Sequence, residues 1–154
     1  KSPEFLALNP MGKVPTLVHD GKVVTEAAAI CLYLAEAFPD AGLKPLAHER
    51  ADYYRWTFFA SATLEQGLAF RMAGIELDER QKAQMGCGDS ERALQTLAEH
   101  LSRNAYVAGE RFTAADVYVG SQLNFFVRMF KAVPTCDAFE HYLDRVTSRP
   151  ALSR

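Results

Sequence analysis

The pattern of apolar and polar positions divides the chain in two near residue 42. In the first part, Thr16 to His19 and Lys22 to Val24 read as two short strands around Asp20-Gly21, a strong two-residue hairpin turn. Ser2-Pro3-Glu4 starts a short helix, with Ser2 as cap, Pro3 at the first helical position and Glu4 near the positive helix end. That helix must finish before Asn9-Pro10, because a residue preceding proline avoids the α region. Thr25 is predicted to cap a second helix whose inward face holds Ile30, Leu34 and Phe38. Asp40 to Pro45, with Gly42 inside, reads as a linker.

From His48 onward only helical spacing is found. One helix, crowded with aromatics, is predicted over about 48–72, and a less regular stretch over 74–88 has room for a short one. Another covers about 90–102, with Leu94, Leu97, Ala98 and Leu101 on one face. A third begins at Thr113, and a fourth spans about 137–148 and ends before Pro150. Thr113-Ala114-Ala115-Asp116 is a short variant of the capping box, in which cap and third residue satisfy each other's amides. The role assigned to Thr113 and Asp116 is structural. The spacing predicts the tail of an α/β domain, 1–42, leading into an all-helical domain, 43–154.

Composition narrows the function. Of 154 residues, 49% are apolar, enough for a sizeable core. The net charge is −2 and the basic residues are scattered, which argues against a nucleic-acid partner. No apolar run approaches the roughly 18 residues of a membrane span. Three distant cysteines, Cys31, Cys87 and Cys136, fit a reducing compartment, and cytoplasmic location is the expectation. No Cys/His cluster has zinc spacing, so no metal is expected.

Two short segments carry the candidate chemistry. Val14-Pro15 leads directly into a strand; a cis bond there would leave the Val14 N–H and C=O open to an extended, peptide-like ligand. One hairpin later, Thr25-Glu26-Ala27 opens a helix, where a ligand carboxylate could sit on the Ala27 amide and Glu26 could hold an ammonium. The two edges would jointly select a ligand with a peptide-like middle and an amino-acid head. Taken singly, Glu26 also suits the helix dipole and Pro15 an edge strand.

The run Asn9-Pro10-Met11-Gly12-Lys13-Val14-Pro15-Thr16-Leu17, then Asp20-Gly21, Thr25-Glu26, Ala29-Ile30 and Tyr33-Leu34, resembles the glutathione transferase family. Phe112-Thr113-Ala114-Ala115-Asp116 matches the capping motif of its helical domain, and Phe139, Tyr142-Leu143, Arg145 and Arg149-Pro150-Ala151 match its closing helix. The resemblance implies a thioredoxin-like domain, here without its first strand-helix-strand unit of about 45 residues, followed by a helical bundle domain. It implies a cis Val14–Pro15 bond, glutathione as co-substrate held by Val14, Pro15, Glu26 and Ala27, and dimers. It implies attack by the glutathione thiolate on a small electrophile. Tyr53 and Trp56 are the candidates for the electrophile pocket. The family's thiol-activating Tyr, Ser or Cys lies in its first strand-helix unit, so no catalytic residue is named in this chain.

Two positions depart from the family pattern. Many members have Ser where this chain has Ala27, whose missing hydroxyl removes one hydrogen bond to the ligand carboxylate. Some bacterial members carry a His-Lys pair where this chain reads Glu65-Gln66. Alternatives to conjugation are a non-catalytic interaction or regulatory module on the same fold, and glutathione-dependent disulfide or peroxide reduction.

Overall fold

The computed structural model describes residues 1–152; the last two positions of the predicted helical domain lie outside them. Ser2 accepts the Phe5 amide at 3.3 Å and Pro3 takes the first helical position, so α1 (Pro3–Leu8) forms and stops at Asn9. An antiparallel pair follows, β1 (Thr16–His19) and β2 (Lys22–Thr25), in register from Thr16↔Thr25 to His19↔Lys22. Asp20 and Gly21 both have positive φ, +50° and +73°, as the two-residue turn requires. Thr25 stays in the ladder opposite Thr16, so α2 (Ala27–Ala37) starts one residue later than predicted. Glu26 takes the cap position in place of Thr25, without a side-chain cap bond.

Arg111 fastens the connection that follows. Its guanidinium donates to the carbonyls of Gly42 at 2.6 Å and Lys44 at 2.7 Å, and pairs with the buried Glu49 at 2.8 Å. The long helix predicted over about 48–72 is two α segments, α3 (Arg50–Phe58) and α4 (Glu65–Met72), joined by a π-helical turn, Phe59–Leu64. Hydroxyls compete with the ladder there: Thr57 donates to the Tyr53 carbonyl at 2.7 Å and Ser61 to that of Phe58 at 3.4 Å. The wider turn shifts the angular register of everything after it.

Next come α5 (Glu79–Gln84), closed by an Asp78/Gln81 capping box, and α6 (Ser90–Leu101), which buries Leu94, Leu97 and Leu101 as its spacing predicts. The central helix is α7 (Ala114–Leu123), continued by a π turn over Asn124–Met129. It packs on α2, α3 and α8 (Asp137–Thr147). A Cβ at Gly120 would sit 3.0 Å from a Val146 methyl, so glycine there lets α7 and α8 approach without displacing Val146. The inward face of α2 differs from the predicted one. Ala28 and Ala35 are buried with Cys31 and Leu32 beside them, and Phe38 is 51% exposed. Small side chains on that face let α2 lie close to α7.

The capping box forms, and its carboxylate reaches further than the spacing foretold. One Asp116 oxygen accepts the Thr113 amide at 2.9 Å and the Thr113 hydroxyl at 3.1 Å; the other accepts the Val107 amide at 2.8 Å and the Tyr142 hydroxyl at 3.0 Å. One buried side chain thereby ties a turn, the start of α7 and α8 together.

Behind α3, His100 stacks on Trp56 with ring centroids 4.2 Å apart and bonds the Val107 carbonyl at 3.0 Å. Burial lowers its pKa, and the raising effects of the Val107 bond and of Asp52 and Asp116 do not overcome it. The unfolded chain therefore takes up a proton at higher pH than the folded one. The His100 contribution is complete above about pH 6.5 and is lost as pH falls toward the folded value, by at most about 1.4 kcal/mol per pH unit. Denaturant unfolding at pH 7.5 and 5.5 should show a larger acid loss for the wild type than for a His100→Asn variant.

Candidate functional site

Asn9 builds the first wall of the site. Its buried amide donates to the Lys13 carbonyl at 2.8 Å and the Thr16 hydroxyl at 3.2 Å, and its oxygen accepts the Met11 amide at 3.1 Å. These bonds hold residues 9–16 as a rigid loop with Val14 at its crest, 82% exposed. The Val14–Pro15 peptide bond is cis. The Val14 N–H and C=O have no hydrogen-bond partner among the described residues.

The second wall is the start of α2. Glu26 holds φ +67° and ψ 117°, a conformation that costs an L-residue energy and that glycine, without a Cβ, tolerates better. That backbone turns the chain from β2 into α2 within one residue. Its carboxylate is exposed and has no partner among the described residues. The first amides of α2, from Ala27 onward, form a positive helix end beside it.

The third and fourth walls are α4, just beyond the π turn, and α7. A cleft of about 490 Å³ opens between the four, lined by Asn9, Lys13, Val14, Pro15, Glu26, Ala27, Ser61, Glu65, Tyr118 and Gln122 among others. The four predicted ligand residues Val14, Pro15, Glu26 and Ala27 thus face one space. A cavity of similar size, about 500 Å³, between α4 and α5 brings none of them together.

Tyr53 and Trp56 do not line the cleft. They are 2% and 1% exposed and sit in the core, where Trp56 stacks on His100 and meets Phe59 edge-to-face. Their large apolar rings occupy the face of α3 turned into the helical bundle, out of reach of a ligand in the cleft. The far wall is instead polar. Glu65 accepts the Tyr118 hydroxyl at 2.8 Å and the Gln122 amide at 3.2 Å, and that same amide lies 3.2 Å from the Tyr118 oxygen. Burial, and then the bond to Glu65, raise the Tyr118 pKa, so the phenol stays a donor. The i, i+4 spacings of Ser61 with Glu65 and of Tyr118 with Gln122 are in the sequence, but nothing local indicates that the two pairs meet. Among the described residues no group of three or more His, Cys, Asp or Glu side chains is placed to hold a metal ion.

The arrangement offers an open peptide edge, an anion-binding helix end and two carboxylates in one cleft. Residues 1–37 match the family model described as glutathione S-transferase, N-terminal domain, and residues 64–150 match glutathione S-transferase, C-terminal domain. The chain is 36% identical over 126 residues to glutathione S-transferase GST-4.5 of Xanthomonas campestris; the match covers 77% of the chain and spans 62% of that relative's length. It is 34% identical over 123 residues to elongation factor 1-gamma of Artemia salina, covering 77% of the chain and 28% of that protein. A sphingomonad glutathione S-transferase solved in complex with glutathione superposes with a TM-score of 0.74 at 27% identity, covering 97% of this chain and 75% of that one.

Proposed function

The chain belongs to the glutathione S-transferase family, as part of a thioredoxin-like domain followed by the family's helical domain, and on that premise we propose that it binds glutathione in the cleft for transfer to small electrophiles. The observation that carries this reading is that Val14, with its open backbone, and the Glu26–Ala27 helix mouth face one another across a single space. In this reading the cysteinyl unit pairs with the Val14 N–H and C=O as a short added strand. The γ-glutamyl carboxylate takes the Ala27 amide at the helix end, and its ammonium takes Glu26. The missing hydroxyl at Ala27 weakens the carboxylate contact by about 1 kcal/mol without removing it. The boundary between the glutathione-binding and helical units falls at residue 42. The whole protein works as a homodimer in the reducing cytoplasm, where its free cysteines are at home.

The thiolate sulfur forms a bond to the electrophilic carbon, and a leaving group departs with its electron pair. No described residue is assigned the role of lowering the thiol pKa. The test is glutathione-dependent consumption of an aryl chloride by the full-length protein, followed by absorbance. Saturable turnover is expected; failure to bind millimolar glutathione contradicts the reading. A second reading, a non-catalytic interaction module, draws on Ala27 and on the kinship with elongation factor 1-gamma. It predicts glutathione-independent dimers that bind a partner protein and give no conjugate.

A further inference from the structure

We infer that Glu65 sets the charge preference for the second substrate: the cleft takes electrophiles bearing a cationic or hydrogen-bond-donating group and disfavours those bearing a carboxylate. The inference rests on the glutathione reading above and adds the electrophile class to it. Glu65 is the first residue of α4, placed by the preceding π turn in the same cleft as Val14 and Glu26. Its Oε2 accepts both the Tyr118 hydroxyl and the Gln122 amide, whereas Oε1 has no partner among the described residues. Two donors on one oxygen hold the carboxylate's orientation and leave the other oxygen of this cleft-lining residue without a partner among the described residues.

Tyr118 is 3% exposed, so the donor that aims Glu65 is itself locked by packing. A carboxylate steered by a buried phenol is a defined feature of the wall, unlike a mobile surface acid. The balance of charge follows. Glu26 and Glu65 line the cleft against a single described cation, Lys13. Once the ammonium of glutathione meets Glu26, Glu65 is the open carboxylate that remains. An incoming anion meets like charge there, and an ammonium, hydroxyl or amide N–H meets an acceptor.

Three para-substituted benzyl chlorides, carrying a trimethylammonium, a hydrogen or a carboxylate group, test this with the full-length protein and glutathione. In each, the thiolate sulfur bonds to the benzylic carbon, chloride leaves with the bonding pair, and the thiol proton passes to solvent. Rates are divided by the uncatalysed rate of each compound to remove its intrinsic reactivity. The corrected kcat/KM should favour the cation over the carboxylate by about tenfold. The ratio should fall toward one in Glu65→Gln and invert in Glu65→Lys. A wild-type ratio near one overturns the inference even if a variant fails to fold, and so does a ratio that both variants leave unchanged. If the unsubstituted compound is not consumed above the blank, the transferase reading itself fails; if it is turned over without charge preference, only the role of Glu65 does.

Discussion

Asp116→Ala is expected to lower the free energy of unfolding by about 3–5 kcal/mol, because it strands the buried Val107 and Thr113 amides and the Tyr142 hydroxyl together. Each orphaned donor costs about 1–3 kcal/mol, and loss of one buried charge returns part of the sum. Asp116→Asn keeps one acceptor oxygen and should lose roughly half as much. Trp56 is the chain's single tryptophan and is buried, so its fluorescence in a guanidinium titration reports the midpoint. The pH dependence has a definite sign. Burial raises the Asp116 carboxyl above its ordinary value, outweighing the bonds that lower it. Its linked contribution is therefore complete below a pH near 3.8 and is lost as pH rises through the folded pKa. The gap between wild type and Asp116→Ala should widen as the solution is made acid. A midpoint loss equivalent to less than about 1 kcal/mol would assign Asp116 no more than an ordinary cap's contribution.

The second large effect falls on the ligand and spares the fold. Glu26→Ala should weaken glutathione binding by about 1.5–3 kcal/mol, the range for hydrogen bonds to charged groups, or roughly tenfold to a hundredfold in Kd by calorimetry. Glu26→Gly separates the two roles of this position. Glycine relieves the positive φ, so thermal stability should hold or rise while affinity is lost to the same extent as with alanine. A glycine variant that binds glutathione as tightly as the wild type would remove Glu26 from the head-group contact. A residue kept in a costly backbone conformation, lining a cleft with an unpartnered carboxylate, is the pattern expected where function, and not stability, chose the side chain.

The sequence was most legible where structure is local. Asp20-Gly21 determines its turn within two residues, the Thr113/Asp116 box closes within four, and the Leu94, Leu97, Leu101 face of α6 needs only helical spacing. Val14-Pro15 and Glu26-Ala27 were readable as candidate ligand edges because an X-Pro step into a strand and the start of a helix are both local features of the chain. The misreadings lie where tertiary packing decides. The α2 helix is covered by the strands on one side and by α7 on another, so its apolar periodicity marked no single inward face, and small Ala28 and Ala35 took the buried positions. The aromatic richness of α3 drew Tyr53 and Trp56 toward a ligand role, although burial of their rings in the bundle is the larger gain. The polar wall was invisible for another reason. Glu65 and Tyr118 are 53 positions apart and meet only after a π turn has reset the helix register, which no local propensity encodes.

The most direct test of the central claim is an amide NMR titration of glutathione into the full-length protein. The account predicts that the Val14 and Ala27 resonances shift together along one saturation curve, with the Val14 amide slowed in hydrogen exchange as it gains a strand partner. Saturation that moves residues elsewhere and leaves these two amides unchanged would contradict it.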